Sequence, residues 1–191
     1  LLGFLISCVP HPQQEKTGHP GYPIAGVPFN KVHLSDNFWL PKIKINREAT
    51  IPASFKKCEE MGRLDNFLIA GGKMEGSVKG EMPFDDTDVY KTIEGAAYSM
   101  AILPDPKLDA YVDSLIEIIG IGQEADGYLT TYKTIDTTRA PARWCPPGGR
   151  WKNLECSHEL YNSGHLFEAA AAHYQATGKT SLLNIALKNA D

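Results

Sequence analysis

Two stretches of this 191-residue chain carry one layout, offset by 74 residues (Ile93 to Phe167), and that repetition constrains the fold more than anything else in the sequence. In the first, Asp85-Asp86-Thr87-Asp88 supplies an acidic helix start. Tyr90, Ile93, Glu94, Ala97 and Ala101 continue at helical spacing, Pro104-Asp105-Pro106 breaks the chain, and Leu108, Val112, Leu115, Ile116 and Ile119 carry a second helix to about Gln123. In the second, a helix from His158 to about residue 176 meets a Thr177-Gly178 stop and restarts at Ser181. Ile93-Glu94 overlies Phe167-Glu168, Ala96-Ala97 overlies Ala170-Ala171, and Leu108 overlies Leu182. Repeated helical hairpins joined by loops build an α/α toroid, in which the first helix of each pair lines the inside and the second forms the outer ring. The pattern predicts an all-α chain with antiparallel hairpins over 85–123 and 158–190. Five or six helices do not close a ring, so the toroid is expected to be incomplete.

The remaining chain is read around these hairpins. Ser35 or Asp36 caps a helix beginning at Asn37, and two pieces, 37–48 and 51–61, are separated at Pro52. A short helical stretch covers 64–70, followed by a loop over 71–83. Asp126-Gly127-Tyr128 predicts a turn running into a short extended piece to Tyr132, and 140–153 a loop containing Trp144 and Trp151. Residue 1 is Leu, and the last helical pattern carries no stop signal, so the chain reads as a fragment. Leu1 to Cys8 is apolar, too short to span a bilayer and followed by a polar, Pro-rich segment, as at the end of a secretory signal. Leu5-Ile6-Ser7-Cys8 resembles the bacterial lipoprotein box, with Cys8 the lipidated residue. Residues 1–27 are then a signal remnant and flexible tether, and the expected location is exported, periplasmic or outer-membrane, with a lipid anchor. Cys58, Cys145 and Cys156 form no Cys-x-x-Cys pair, which argues against a disulfide framework or structural zinc site, and Cys156 reads as a buried or idle thiol.

The candidate site lies on the second repeat. On a helix, His158, Tyr161, Asn162, His165, Ala169 and Ala172 fall within about 60° of one direction, while Leu160, Phe167, Ala170, Ala171 and Tyr174 point the other way. Imidazole, phenol and amide opposite an apolar stripe suit a lined cavity better than open water. A polar seam between packed helices is the alternative use of the same residues. Ser157 is placed to cap a helix beginning at His158. His158 and His165 are two turns apart, about 10 Å along the axis, where zinc-binding helices use i and i+4. They are therefore not expected to share a metal.

Four motifs in order carry a resemblance: Val32-His-Leu-Ser-Asp36-Asn-Phe38-Trp39; Phe84-Asp-Asp86-Thr-Asp88-Val-Tyr90-Lys91 with Glu94; Asp126-Gly127-Tyr128-Leu129 with Thr131-Tyr132; and His158-Glu159-Leu160-Tyr161 with Gly164-His165. From about Pro28 to Asp191 the chain resembles the bacterial β-L-arabinofuranosidases of glycoside hydrolase family 127. The resemblance implies the N-terminal part of an (α/α)6 catalytic barrel, here residues 28–191, and retaining hydrolysis of arabinofuranosides from plant-type glycans. It also implies a zinc-bound cysteine nucleophile in the full-length protein. The family's nucleophile, zinc ligands and acid/base glutamate belong to later segments, and none of Cys58, Cys145 or Cys156 matches them. No catalytic residue or metal ligand is therefore assigned within this chain, and no zinc is expected on this part alone. What carries over is the sugar-binding histidine, His158.

A furanoside is neutral and densely hydroxylated, so its site needs neutral donors and acceptors, a few carboxylates and aromatic faces. His158, Tyr161, Asp88 and Tyr128 are of those types and are the expected substrate contacts. Asp85, Asp86 and Asp88 serve equally as a helix cap and charge cluster. A net charge of −4, with no basic run and no phosphate loop, points away from nucleic acid. Two rival functions remain: a non-enzymatic helical carbohydrate-binding module, and another α/α toroid enzyme acting on acidic sugars. The second would favour Arg or Lys on the cavity face, and the helix from His158 carries none there.

Overall fold

A computed structural model describes residues 24–140 and 142–191; Cys8 and most of the 1–27 segment lie outside the described residues. Among the described residues the regular structure is helical throughout, with one isolated β-bridge between Ala142 and Cys145. A 3-10 turn at Phe29–Lys31 precedes α1 (Trp39–Ile45), α2 (Ile51–Glu60), α3 (Arg63–Ala70), α4 (Thr87–Ile102), α5 (Pro106–Gly122), α6 (Thr131–Ile135), α7 (Glu159–Thr177) and α8 (Ser181–Ala190). None of these helices is long and apolar enough to cross a membrane.

Local chemistry sets the boundaries. Asp36 Oδ1 accepts the amides of Phe38 and Trp39 at 2.8 and 2.5 Å, which starts α1. The expected break at Pro52 is instead a widened π turn over Asn46–Thr50 that runs from α1 into α2. Proline lacks an amide hydrogen and its ring crowds the carbonyl four residues back; a wider turn absorbs both without ending the helix. Asp105 caps α5 by accepting from Lys107 and Leu108. Gly178, at φ +75°, closes α7 by donating to the Tyr174 carbonyl. The extended piece expected up to Tyr132 is extended only to Thr130, after which α6 makes a short helix.

The helices form two tiers. α4 packs most extensively on α7, and α2 on α4, while α3 packs on α5 and α5 touches α8. Each hairpin therefore places its first helix in one tier and its second in the other, and α4 touches α5 far less than it touches α7. Between the tiers lies one apolar cluster including Phe55, Phe67, Tyr90, Ile93, Val112, Leu115, Ile119, Leu166 and Leu182. Ala96 on α4 and Ala169 and Ala170 on α7 are buried in it, and their small side chains suit close approach of the two helices.

Candidate functional site

α4 and α7 share an outward polar face opposite the apolar cluster. On α4 the less buried positions Asp88, Lys91, Glu94 and Tyr98 recur at helical spacing, and on α7 so do Tyr161, His165 and Glu168. Lys91 Nζ donates to the Tyr161 hydroxyl at 2.6 Å and lies 4.7 Å from the centre of its ring. Tyr161 packs edge-on against His165 at 4.5 Å and against His158 at 5.8 Å, and Phe84 backs both His158 (4.9 Å) and Tyr161 (6.0 Å). His158, Tyr161 and His165 thus meet on one surface, with Tyr161 42% exposed on it. Asn162 leaves the stripe: it is fully buried and donates to the Pro83 carbonyl.

The opposite side of α7 departs from expectation. Leu160, Phe167 and Tyr174 are 61%, 38% and 45% exposed, while Leu166, Ala169, Ala170 and His173 are buried. A 3.6-residue period defines relative directions but not which neighbour each direction meets. Here α4 takes the Leu166 side, and nothing among the described residues covers the Leu160 side.

The start of α7 is built by Glu159. This carboxylate is fully buried and accepts from the Tyr128 hydroxyl (2.5 Å), the Ser157 hydroxyl (2.7 Å) and the Trp151 amide (3.0 and 3.1 Å to its two oxygens). A buried carboxylate must be met by donors. Ser157 is one of them, so it does not cap the helix as expected, and α7 begins at Glu159 rather than His158. His158 sits just before the helix in the left-handed region (φ +55°), with Nδ1 2.9 Å from the Cys156 carbonyl oxygen.

Cys156 is not an idle thiol: it forms a disulfide with Cys145, with Cα atoms 5.4 Å apart. The loop between them doubles back through Asn153, whose amide donates to the Pro146 carbonyl. Spacing rules for multi-bridge frameworks do not detect a single staple across eleven residues. Cys58 is free and buried, and burial raises its thiol pKa, so it rests protonated.

Two of the expected substrate contacts sit elsewhere. Asp88, half exposed on α4, accepts from Arg63 Nε at 2.9 Å. Tyr128 is buried; burial and then the neighbouring Glu159 push its hydroxyl pKa far up, and it lines a hollow of about 570 Å³ with Trp151, Leu160 and Phe167. Trp151 meets its ring edge-on at 5.3 Å, and the Arg150 guanidinium lies 4.1 Å from its centre. Gly127 beside it needs to be glycine twice over: its φ is +91°, and an added Cβ would lie 1.8 Å from the Lys188 carbonyl oxygen.

The acidic cluster at the start of α4 is committed to structure. Asp86 makes no side-chain cap; it accepts from the Thr131 amide (2.8 Å) and hydroxyl (2.5 Å). Burial raises its pKa to about 6 against the opposing effect of those two bonds. Asp85 pairs with Arg63 at 2.9 Å and is also pushed up by burial.

Among the described residues, two groups gather three metal-type ligands: Glu94, His165 and Glu168, and Asp109, Asp113 and His173. In the second, Lys179 donates to both carboxylates at 2.7 Å and takes the place of a cation. Neither group offers a cysteine, and the cysteines described are either paired or enclosed alone. The residues present therefore do not fit a zinc-thiolate centre. Spacing alone does not show that Lys91, Phe84, Glu159 and the disulfide build this surface; the Phe84 to Lys91 motif at the start of α4 is the signal that points to two of them.

Paired tiers of helical hairpins with polar side chains gathered on α4 and α7 define a sector of an α/α toroid. The sequence profile of the β-L-arabinofuranosidase GH127 catalytic domain matches residues 31–191, and the chain belongs to that family. It is 40% identical over 126 residues to a non-reducing end β-L-arabinofuranosidase of Bifidobacterium longum subsp. longum, covering 66% of this chain and 18% of that protein. A solved GH127 β-arabinofuranosidase, BT3674, superimposes with a TM-score of 0.81 at 48% identity over 91% of this chain and 27% of its own. A GH127 β-L-arabinofuranosidase from Geobacillus stearothermophilus T6 gives 0.75 at 39% identity, over 83% of this chain and 24% of its own. The chain thus spans about a quarter or less of the length of these relatives.

Proposed function

We propose that residues 28–191 form the sugar-binding sector of a retaining β-L-arabinofuranosidase. His158 and Tyr161 contact furanose hydroxyls and Asp88 acts at the margin on α4, whereas Tyr128, bonded to Glu159, faces a separate hollow on the other side of α7. The nucleophilic cysteine, its zinc and the acid/base glutamate are supplied by other segments of the catalytic domain. The observation that carries the reading is the joint surface of His158, Tyr161 and Phe84 between α4 and α7, two polar aromatic groups with an apolar backing. Such a surface offers hydrogen bonds and a ring face beside one ammonium, that of Lys91, which is already engaged by the Tyr161 hydroxyl, and this suits a hydroxylated sugar. Export with Cys8 as a lipid anchor is part of the same proposal, and the Cys145–Cys156 disulfide supports an oxidising compartment.

The test is His158→Ala in the full-length protein, with kinetics and thermal unfolding measured on one sample. A lost hydrogen bond to a neutral partner costs on the order of 1 kcal/mol, and more where the bond tightens in the transition state. The expected result is a kcat/KM on an aryl β-L-arabinofuranoside reduced about fivefold or more at an unchanged melting temperature. Wild-type efficiency with a lowered melting temperature would make the stripe a packing seam. Lys91 supplies from α4 the cation that α7 lacks, so an unsaturated uronide is the control substrate for the acidic-sugar reading. Turnover of that substrate alone would replace the proposal.

A further inference from the structure

A neutral imidazole has one N–H and one lone pair, and a carbonyl oxygen only accepts. His158 Nδ1 faces the Cys156 carbonyl at 2.9 Å, so it must carry the hydrogen, which leaves the lone pair on Nε2. Among the described residues Nε2 has no hydrogen-bond partner, and it is not one of their enclosed unpartnered atoms, so it stays open to a ligand. We infer that the segment from Cys145 to Glu159 is a positioning device that commits His158 to the Nδ1–H tautomer, so that it meets a ligand hydroxyl as a hydrogen-bond acceptor.

Several contacts within that segment fix the chain around this carbonyl. The disulfide ties Cys156 to Cys145, and the amides of Cys156 and Ser157 both donate to the Asn153 carbonyl, at 2.9 and 2.8 Å. Glu159 holds the other side by gathering Ser157, Trp151 and Tyr128 onto one buried carboxylate. Trp151 and His158 are the non-glycine residues with positive φ among those described, at +61° and +55°, and both belong to this segment. Such backbone persists only where its surroundings over-determine it. The left-handed turn at His158 accompanies a ring that lies back toward a carbonyl two residues earlier, while Phe84 and Tyr161 limit its rotation. Cys145, Cys156 and Glu159 are then positioning residues acting through His158. The consequence is a specificity: the ligand must present a hydroxyl hydrogen at this point, and an O-methyl sugar there is refused.

This inference rests on His158 being a sugar contact, and its test separates the two. In the full-length enzyme labelled with [15N]histidine, long-range proton–nitrogen correlation spectra recorded at alkaline pH assign His158 by its loss in His158→Ala. The expected signature is a protonated Nδ1 and an unprotonated Nε2. In the Cys145→Ser/Cys156→Ser double variant that signature is expected to average toward a tautomer mixture while kcat/KM on an arabinofuranoside falls several-fold. Reduction of the disulfide in folded wild-type enzyme gives the same readout should the double variant fail to fold. An Nε2–H signature in the wild type, or an unchanged tautomer after the disulfide is opened, overturns the inference. The expected tautomer with unaltered kinetics in His158→Ala leaves the device standing and removes the sugar-contact reading instead.

Discussion

Asp86 illustrates how one residue can look like a site and serve as a fastener. Its carboxylate is enclosed, met by two donors from Thr131, and has no cation in direct contact, so burial dominates and raises its pKa from 3.8 to about 6. The sign follows from proton counting: between these values the folded chain holds a proton that the unfolded chain has released. The group's stabilising contribution is therefore complete below about pH 4 and is lost as pH rises through about 6. The gap between about 6 and 3.8 corresponds to roughly 3 kcal/mol. Asp86→Asn removes the titration, so the stability of the wild type relative to Asp86→Asn should fall by about that amount between pH 4 and pH 7 in urea denaturation. A pH-independent difference would show that the fold leaves the Asp86 carboxyl at its unfolded pKa. At this scale the sequence showed residue types but not their partners. Asp85, Asp86 and Asp88 read correctly as a cluster at a helix start, yet Asp86 reaches Thr131 forty-five residues away, a pairing no local pattern announces.

At the scale of elements, ends were more legible than faces. Gly178, Asp105 and Asp36 act where their local chemistry says they should, because caps and stops are decided within a few residues. Which side of α7 meets α4 was not legible, since Leu160 and Leu166 are equally apolar and only the neighbour distinguishes them. The loop before α7 was opaque for the same reason: its disulfide and the hub at Glu159 join residues brought together by the turn itself. Gly127 is the exception, a turn residue whose importance was visible but whose cause was not, because the obstacle is the Lys188 carbonyl on α8. Gly127→Ala should cost roughly 2–3 kcal/mol through positive φ and steric overlap together, read as a lowered melting temperature. A melting temperature unchanged from wild type would mean that α8 shifts freely and does not fix the turn beneath Tyr128.

On the scale of the whole molecule, the 74-residue offset of the hairpins gave the right architecture for a physical reason. Repeating units bury their apolar faces against neighbours of the same kind, so the pattern of one unit predicts the placement of the next. The same logic says that a sector ends in uncovered apolar surface, and α7 shows it: Leu160, Phe167 and Tyr174 lie exposed along one side, next to the hollow that Phe167 and Trp151 line. Patches of this kind drive association in water. Residues 24–191 expressed alone should therefore self-associate with rising concentration and show no turnover of an arabinofuranoside. Exchange of Leu160, Phe167 and Tyr174 for serine should shift the same segment toward monomer, because those side chains are exposed and lie outside the buried cluster. Sedimentation velocity over a range of concentrations distinguishes the cases. A wild-type segment that stays monomeric would show that the exposed side of α7 is tolerated by water, and turnover abolished by Cys156→Ala would restore a local nucleophile that the disulfide argues against.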